Sequence, residues 1–172
     1  FFNARARQVP GSTPIMDVLL GLTASREEPI AGGRHKVFGS LPLQIPPQTS
    51  TIASHLPKAL GMALAIERAK KLGLGPAEDD RSVLCTFGDA SLNHSTAQGA
   101  LNTARWFAHQ DRPCPVLFVC EDNGIGISVP TPNAWVQTTW GAASNLGYVY
   151  GDGLDLADAW DAAQAAVLWT RQ

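Results

Sequence analysis

The chain has 172 residues, enough for one domain that buries roughly 70% of the surface its unfolded form exposes. Apolar residues make up 45% and charged residues only 16%, against a usual level of about 25%, which excludes a disordered chain and suggests a surface partly covered by a partner. Thirteen Lys and Arg against fifteen Asp and Glu give a net charge of −2. With no long run of either sign and no apolar run near the ~18 residues of a membrane helix, nucleic-acid and membrane roles are excluded.

In chain order, residues 1–11 read as a polar arm closed by Pro10-Gly11. Ser12-Thr13-Pro14 predicts a helix start, with a hydroxyl at the cap and Pro in the first turn. That helix is expected to end near Glu28-Pro29. Residues 30–54 predict a long loop, with at most one short strand, and a loop of this length is usually functional. A slim, Ala-rich helix follows from Ser54-His55-Leu56-Pro57, closed by Lys70, Lys71 and Gly73. Ser82–Phe87 and Pro115–Cys120 are apolar runs without alternation, which predicts strands buried on both faces. Between them, 93–110 is helical, so the three elements form a βαβ unit. A further strand is expected at Gly147–Tyr150 and a last helix from Leu156. The fold class is α/β: a mostly parallel sheet with helices on both faces.

The ends read as those of a fragment. The chain begins Phe1-Phe2-Asn3 without Met or a signal peptide, and it stops inside a predicted helix. Cys85, Cys114 and Cys120 are odd in number and lack Cys-x-x-Cys spacing. Buried free thiols and a cytoplasmic location are expected.

The βαβ unit brings Gly88-Asp89 and Glu121-Asp122-Asn123 to the same carboxyl edge of the sheet, where open α/β sheets bind ligands. Asp89 offers a hard anionic oxygen, Asn123 an amide oxygen, and Asn123-Gly124 a turn whose next carbonyl can face the same way. A helix N-terminus after Asp89 is expected to supply N–H groups for an anion. Such a donor set suits Mg2+ completed by phosphate oxygens. Taken singly, Asp89 also reads as a helix N-cap. Asn123-Gly124 singly also reads as an ordinary turn.

Gly88-Asp89-Ala90-Ser91-Leu92-Asn93, with Asn123 lying 34 positions after Asp89, resembles the thiamine diphosphate motif Gly-Asp-Gly … Asn-Asn. Ala90 replaces its second Gly and Asp122 its first Asn. The Ser50–Ala63 segment and Cys120–Ser128 resemble alpha-type decarboxylating components of 2-oxo acid dehydrogenase complexes, in a bacterial form that is sometimes alpha-beta fused. The resemblance implies 30–172 as a diphosphate-binding domain, truncated at its C-terminus, after an arm and helix over 1–29.

It further implies Mg2+ held by the side chains of Asp89 and Asn123 and the carbonyl of Ile125. Gly88, Ala90 and Ser91 would contact the diphosphate. Ile52 would be the wedge under the bent cofactor, although by itself it reads as a core aliphatic. Ser50, Ser54 and His55 fall where some relatives hold K+, and a capping or hydrogen-bonded His55 is the alternative. His94 could face the cofactor or a partner, or be a satisfied surface histidine like His35, and His109 suits a helix end.

By the same resemblance the partners are a beta half and a lipoyl-bearing acyltransferase, and the substrate is a 2-oxo acid. The catalytic residues lie outside this chain. A transketolase-like enzyme and a non-catalytic α/β interaction domain are the alternatives.

Overall fold

The computed structural model describes residues 8–34, 37–74 and 80–171, so His35 lies outside the described residues. The chain divides into two compact units, Phe1–Thr51 and Ile52–Gln172. The boundary expected at residue 29 lies inside the first unit.

The first unit holds helix α1 (Pro14–Leu22) and the antiparallel strands β1 (Phe38–Ser40) and β2 (Ile45–Gln48). Pro14 occupies the first helical turn as expected. The Thr13 hydroxyl makes no cap; it bonds the Asp17 carboxylate at 3.1 Å. The helix stops at Leu22, short of the expected Glu28, because the chain turns back on itself there, with Ala24 at φ 54°. The expected loop over 30–54 contains two short strands, not one.

The second unit begins with α2 (His55–Lys71). It buries Leu56, Ala59, Leu60 and Ala63, one face of a 3.6-residue period. Strand β3 (Val83–Gly88) pairs in parallel with β4 (Val116–Glu121). Between them run a 3-10 turn (Asp89–Asn93) and α3 (Ser95–His109). Helix α3 buries Ala97, Ala100, Leu101 and Ala104 at the same helical spacing. Cys85 and Phe87 of β3 join Leu56, Ala59, Leu92, Ala97 and Leu101 in one core. A hairpin, β5 (Ile125–Gly126) and β6 (Val129–Pro130), follows β4. A π-helical turn (Gln137–Gly141) and α4 (Leu156–Thr170) complete the unit. Asp155 caps α4 through the N–H of Ala157 at 2.9 Å.

Two expectations need correction. Strand β3 is not buried on both faces: Cys85 and Phe87 point into the core, whereas Thr86 and Leu84 (44% exposed) face out. The reason is that a single parallel pair forms. Among the described residues the sheets are three two-stranded ones, so the βαβ unit is present but a wider parallel sheet with helices on both faces is not. Gly147–Tyr150 likewise pairs with no strand among the described residues. Its Gly147 instead lies against the Trp169 ring of α4, 2.8 Å from where a Cβ would stand. Among the described residues no helix is long and apolar enough to cross a membrane.

Candidate functional site

The parallel register pairs Gly88 with Glu121, so β3 and β4 end side by side as the βαβ reading requires. Beyond that edge the two chain segments converge again. The hairpin strand β5 packs on the 3-10 turn that carries Asp89. A Cβ built on Gly126 would lie 2.5 Å from the Ala90 Cβ, so only glycine permits this approach. Ala90 is not at positive φ, so the alanine in the second glycine's place is unstrained.

Asp89 is 1% exposed. It does not cap α3: that cap is His94, whose Nδ1 accepts the Thr96 N–H at 3.1 Å. The helix start expected just after Asp89 is displaced by the 3-10 turn, and one of its N–H groups is already taken by His94. Asp89 Oδ2 instead accepts a short hydrogen bond from the Thr131 hydroxyl. Sequence reasoning missed Thr131, because only the hairpin brings it back to the strand end.

Asn123 is exposed, and its Oδ1 accepts the Ile125 N–H at 3.1 Å, while Asp122 Oδ1 accepts the Gly124 N–H at 3.3 Å. These bonds set the turn that aims β5. Ile125 faces Pro130 in the hairpin register, one step outside the Gly126–Val129 pair. The Thr131 N–H to Gly124 carbonyl bond at 3.0 Å closes the next step. Ile125 therefore stands at a non-hydrogen-bonded pair, and its carbonyl points out of the hairpin, unused by β6. Pro130, which has no N–H to offer, suits that position.

The local field is negative. Burial first, then Asp122, Asp89 and Glu121, push the Cys120 thiol up to about 12. Burial and Asp122 also raise the Tyr148 hydroxyl. Among the described residues no cation pairs with Asp89; Arg171 pairs with Asp80 instead. No group of three His, Cys, Asp or Glu among the described residues could hold a metal. The groups at this strand edge are one buried carboxylate, one exposed amide and one outward carbonyl. Gly88 has φ −83° and nothing within 4 Å of a Cβ. Neither its backbone nor its neighbours among the described residues call for glycine, so the open space there fits a ligand that approaches the backbone. Ala90 and Ser91 are half-buried beside it.

Ile52 is 56% exposed, so it is not a core aliphatic. Ala53 beside it is 1% exposed at φ 60°, a conformation of the kind stored near functional sites. His55 Nε2 donates to the Thr86 carbonyl at 2.9 Å, the hydrogen-bonded alternative for this residue. Ser54 Oγ is buried with no partner among the described residues. Ser50 belongs to the first unit and Ser54 and His55 to the second. His109 closes α3 with its ring 5.5 Å from that of Trp106.

Residues 7–172 match the family model described as "Dehydrogenase E1 component". The chain is 33% identical over 116 residues to the 2-oxoisovalerate dehydrogenase subunit alpha of Bacillus subtilis (strain 168), covering 66% of this chain and 31% of that protein. It is 32% identical over 83 residues to the mitochondrial 2-oxoisovalerate dehydrogenase subunit alpha of Homo sapiens, covering 48% of this chain and 16% of that one. The chain thus spans less than a third of either relative.

Proposed function

This chain belongs to the dehydrogenase E1 component family, and on that premise we propose that its second unit binds the diphosphate of thiamine diphosphate through Mg2+ in a 2-oxo acid dehydrogenase. The observation that carries this reading is the convergence of Gly88–Ser91 and Asn123–Gly126 at one strand edge, around a buried carboxylate that no cation pairs with among the described residues. Asp89 and Asn123 would hold the metal by their side chains and Ile125 by its carbonyl, three hard oxygens of the kind Mg2+ takes alongside phosphate. Gly88, Ala90 and Ser91 would meet the diphosphate. The hydrogen bond from Ile125 N–H to Asn123 and the Ala90–Gly126 contact fix these donors before anything binds, which lowers the ordering cost of binding. Exposed Ile52 would support the middle of the cofactor. When bound, thiamine diphosphate supplies the electron sink for loss of carbon dioxide from a 2-oxo acid.

The rest belongs to the complete protein. A beta half would supply the groups that act on substrate, and the acyl group would pass to a lipoyl-bearing acyltransferase. The relatives' names make 2-oxoisovalerate the first substrate to try. Three free cysteines suit the reducing cytoplasm. K+ gains only the unpartnered Ser54 hydroxyl in its favour, since His55 is engaged with β3.

The test is calorimetric titration of the complete protein with thiamine diphosphate, with and without Mg2+, alongside carbon dioxide release from 2-oxoisovalerate. Binding that needs Mg2+ and disappears in Asp89→Ala is expected. Binding unchanged in that variant removes the metal assignment, and no binding at all favours a non-catalytic interaction domain.

A further inference from the structure

The 3-10 turn and the hairpin are separate segments, yet one side-chain bond joins them. The Thr131 hydroxyl donates to Asp89 Oδ2 across 42 positions of sequence. Asp89 is 1% exposed, so little water competes for that oxygen. The hydroxyl's own position is fixed twice over. The Thr131 N–H is bonded to the Gly124 carbonyl at 3.0 Å, which locks the end of β6. Gly126, on the opposite strand of the hairpin, is held against Ala90 of the 3-10 turn.

A carboxylate that turns freely about its last torsion loses that freedom when it binds a cation, and the loss weakens binding. A neutral hydroxyl on one oxygen fixes the carboxylate plane without cancelling its charge. Lysine or arginine in the same place would fix the plane but also compete with the cation for the charge. The same bond also ties Asp89 to the segment that bears Asn123 and the outward carbonyl of Ile125.

We propose that Thr131 is a positioning residue for divalent cation binding: it orients Asp89 and locks the hairpin donors to it before the metal arrives. This rests on the reading of Asp89 as a Mg2+ ligand. Thr131→Val keeps the side-chain shape and removes the donor, whereas Thr131→Ser keeps the donor.

The experiment measures, in the complete protein, the Mg2+ concentration that half-saturates thiamine diphosphate binding at fixed cofactor, by calorimetry. The melting temperature without metal or cofactor is recorded for each variant. Loss of such an orienting partner typically costs about 10- to 100-fold in metal affinity, and that rise in Mg2+ requirement is expected for Thr131→Val. Thr131→Ser is expected to stay within about threefold of the parent protein, because the donor survives. In an Asp89→Asn background, Thr131→Val should add nothing to the Mg2+ requirement, since it acts through that carboxylate.

A parent-like Mg2+ requirement in Thr131→Val overturns the proposal. So does tighter binding in that variant, which would make the hydroxyl a competitor of the metal. A Thr131→Ser variant as impaired as Thr131→Val overturns it too, as does a Thr131→Val defect matched by an equal fall in melting temperature and unchanged by Asp89→Asn. If the parent protein itself shows no Mg2+-dependent binding, the reading of Asp89 falls and takes this inference with it. If the parent and Asp89→Ala behave as proposed while Thr131→Val does not, only the role of Thr131 falls.

Discussion

Glu28 in the first unit and Asp89 in the second are both buried carboxylates, at 5% and 1% exposure, and they are satisfied in different ways. Glu28 is answered by its own loop. The N–H of Ile30 bonds Oε1 at 3.0 Å, and the N–H of Ala31 bonds Oε2. Burial alone pushes the Glu28 carboxyl up, but the backbone N–H groups of Ala31, Ile30, Gly33 and Gly32 outweigh it and hold its pKa below the ordinary glutamate value. That wrap needs glycine at Gly33, where φ is 73° and a Cβ would stand 2.4 Å from the Ala24 carbonyl carbon. Asp89 is held by a hydroxyl from a distant hairpin and lies among other acids. A carboxylate closed by local N–H groups is a folding element. One held by a single-proton donor from a distant segment, in a negative field, leaves its charge uncancelled, and the proposed cation role of Asp89 rests on that difference.

Exchanging the charge at each position tests that distinction. Asp89→Asn should weaken Mg2+-dependent cofactor binding by more than about 100-fold, since even orienting partners are worth 10–100-fold. Its apo melting temperature should hold or rise, because the negative cluster loses a charge; calorimetry and thermal melting read the two effects. A lowered melting temperature with intact binding would make Asp89 a structural residue like Glu28. Gly126→Ala is the next largest. Its Cβ would meet that of Ala90, so the hairpin must move off the turn, with an overpacking cost of about 1–3 kcal/mol and weaker cofactor binding.

Glu28→Gln should show the opposite pattern to Asp89→Asn. Losing charge-assisted bonds costs on the order of 1–2 kcal/mol of stability in urea unfolding, with binding at the second unit unchanged. The folded pKa of Glu28 is depressed, so its contribution is full above the unfolded value near 4.5 and disappears as pH falls through the folded value. The difference in stability between the parent protein and Glu28→Gln should therefore shrink below that value. His94→Ala, which removes the α3 cap, should cost about 1 kcal/mol, and His94→Asn should restore most of it.

Periodicity alone makes the helices and the βαβ unit readable. Leu56-Ala59-Leu60-Ala63 and Ala97-Ala100-Leu101-Ala104 each mark one buried face, and the two apolar runs pair in parallel with Gly88 opposite Glu121. The edge of the site follows from that register. What stays hidden depends on contacts between distant segments. Uniform apolarity predicts two buried faces for β3, but burial depends on which neighbours are present, and Leu84 and Thr86 are left exposed. Asp89 reads equally as a cap or a ligand, because both roles need a carboxylate at a strand end. His94 takes that cap, which removes the capping reading of Asp89.

The sequence by itself determined the local periods, the order of elements and which residues stand at the strand ends, because each depends on spacing within a few residues. Tertiary structure alone decided that Asp89 is buried, that Gly126 must be glycine, and that Thr131 holds the carboxylate. Each of those depends on a hairpin folding back over the turn, a contact between residues far apart in the chain whose geometry no local pattern encodes.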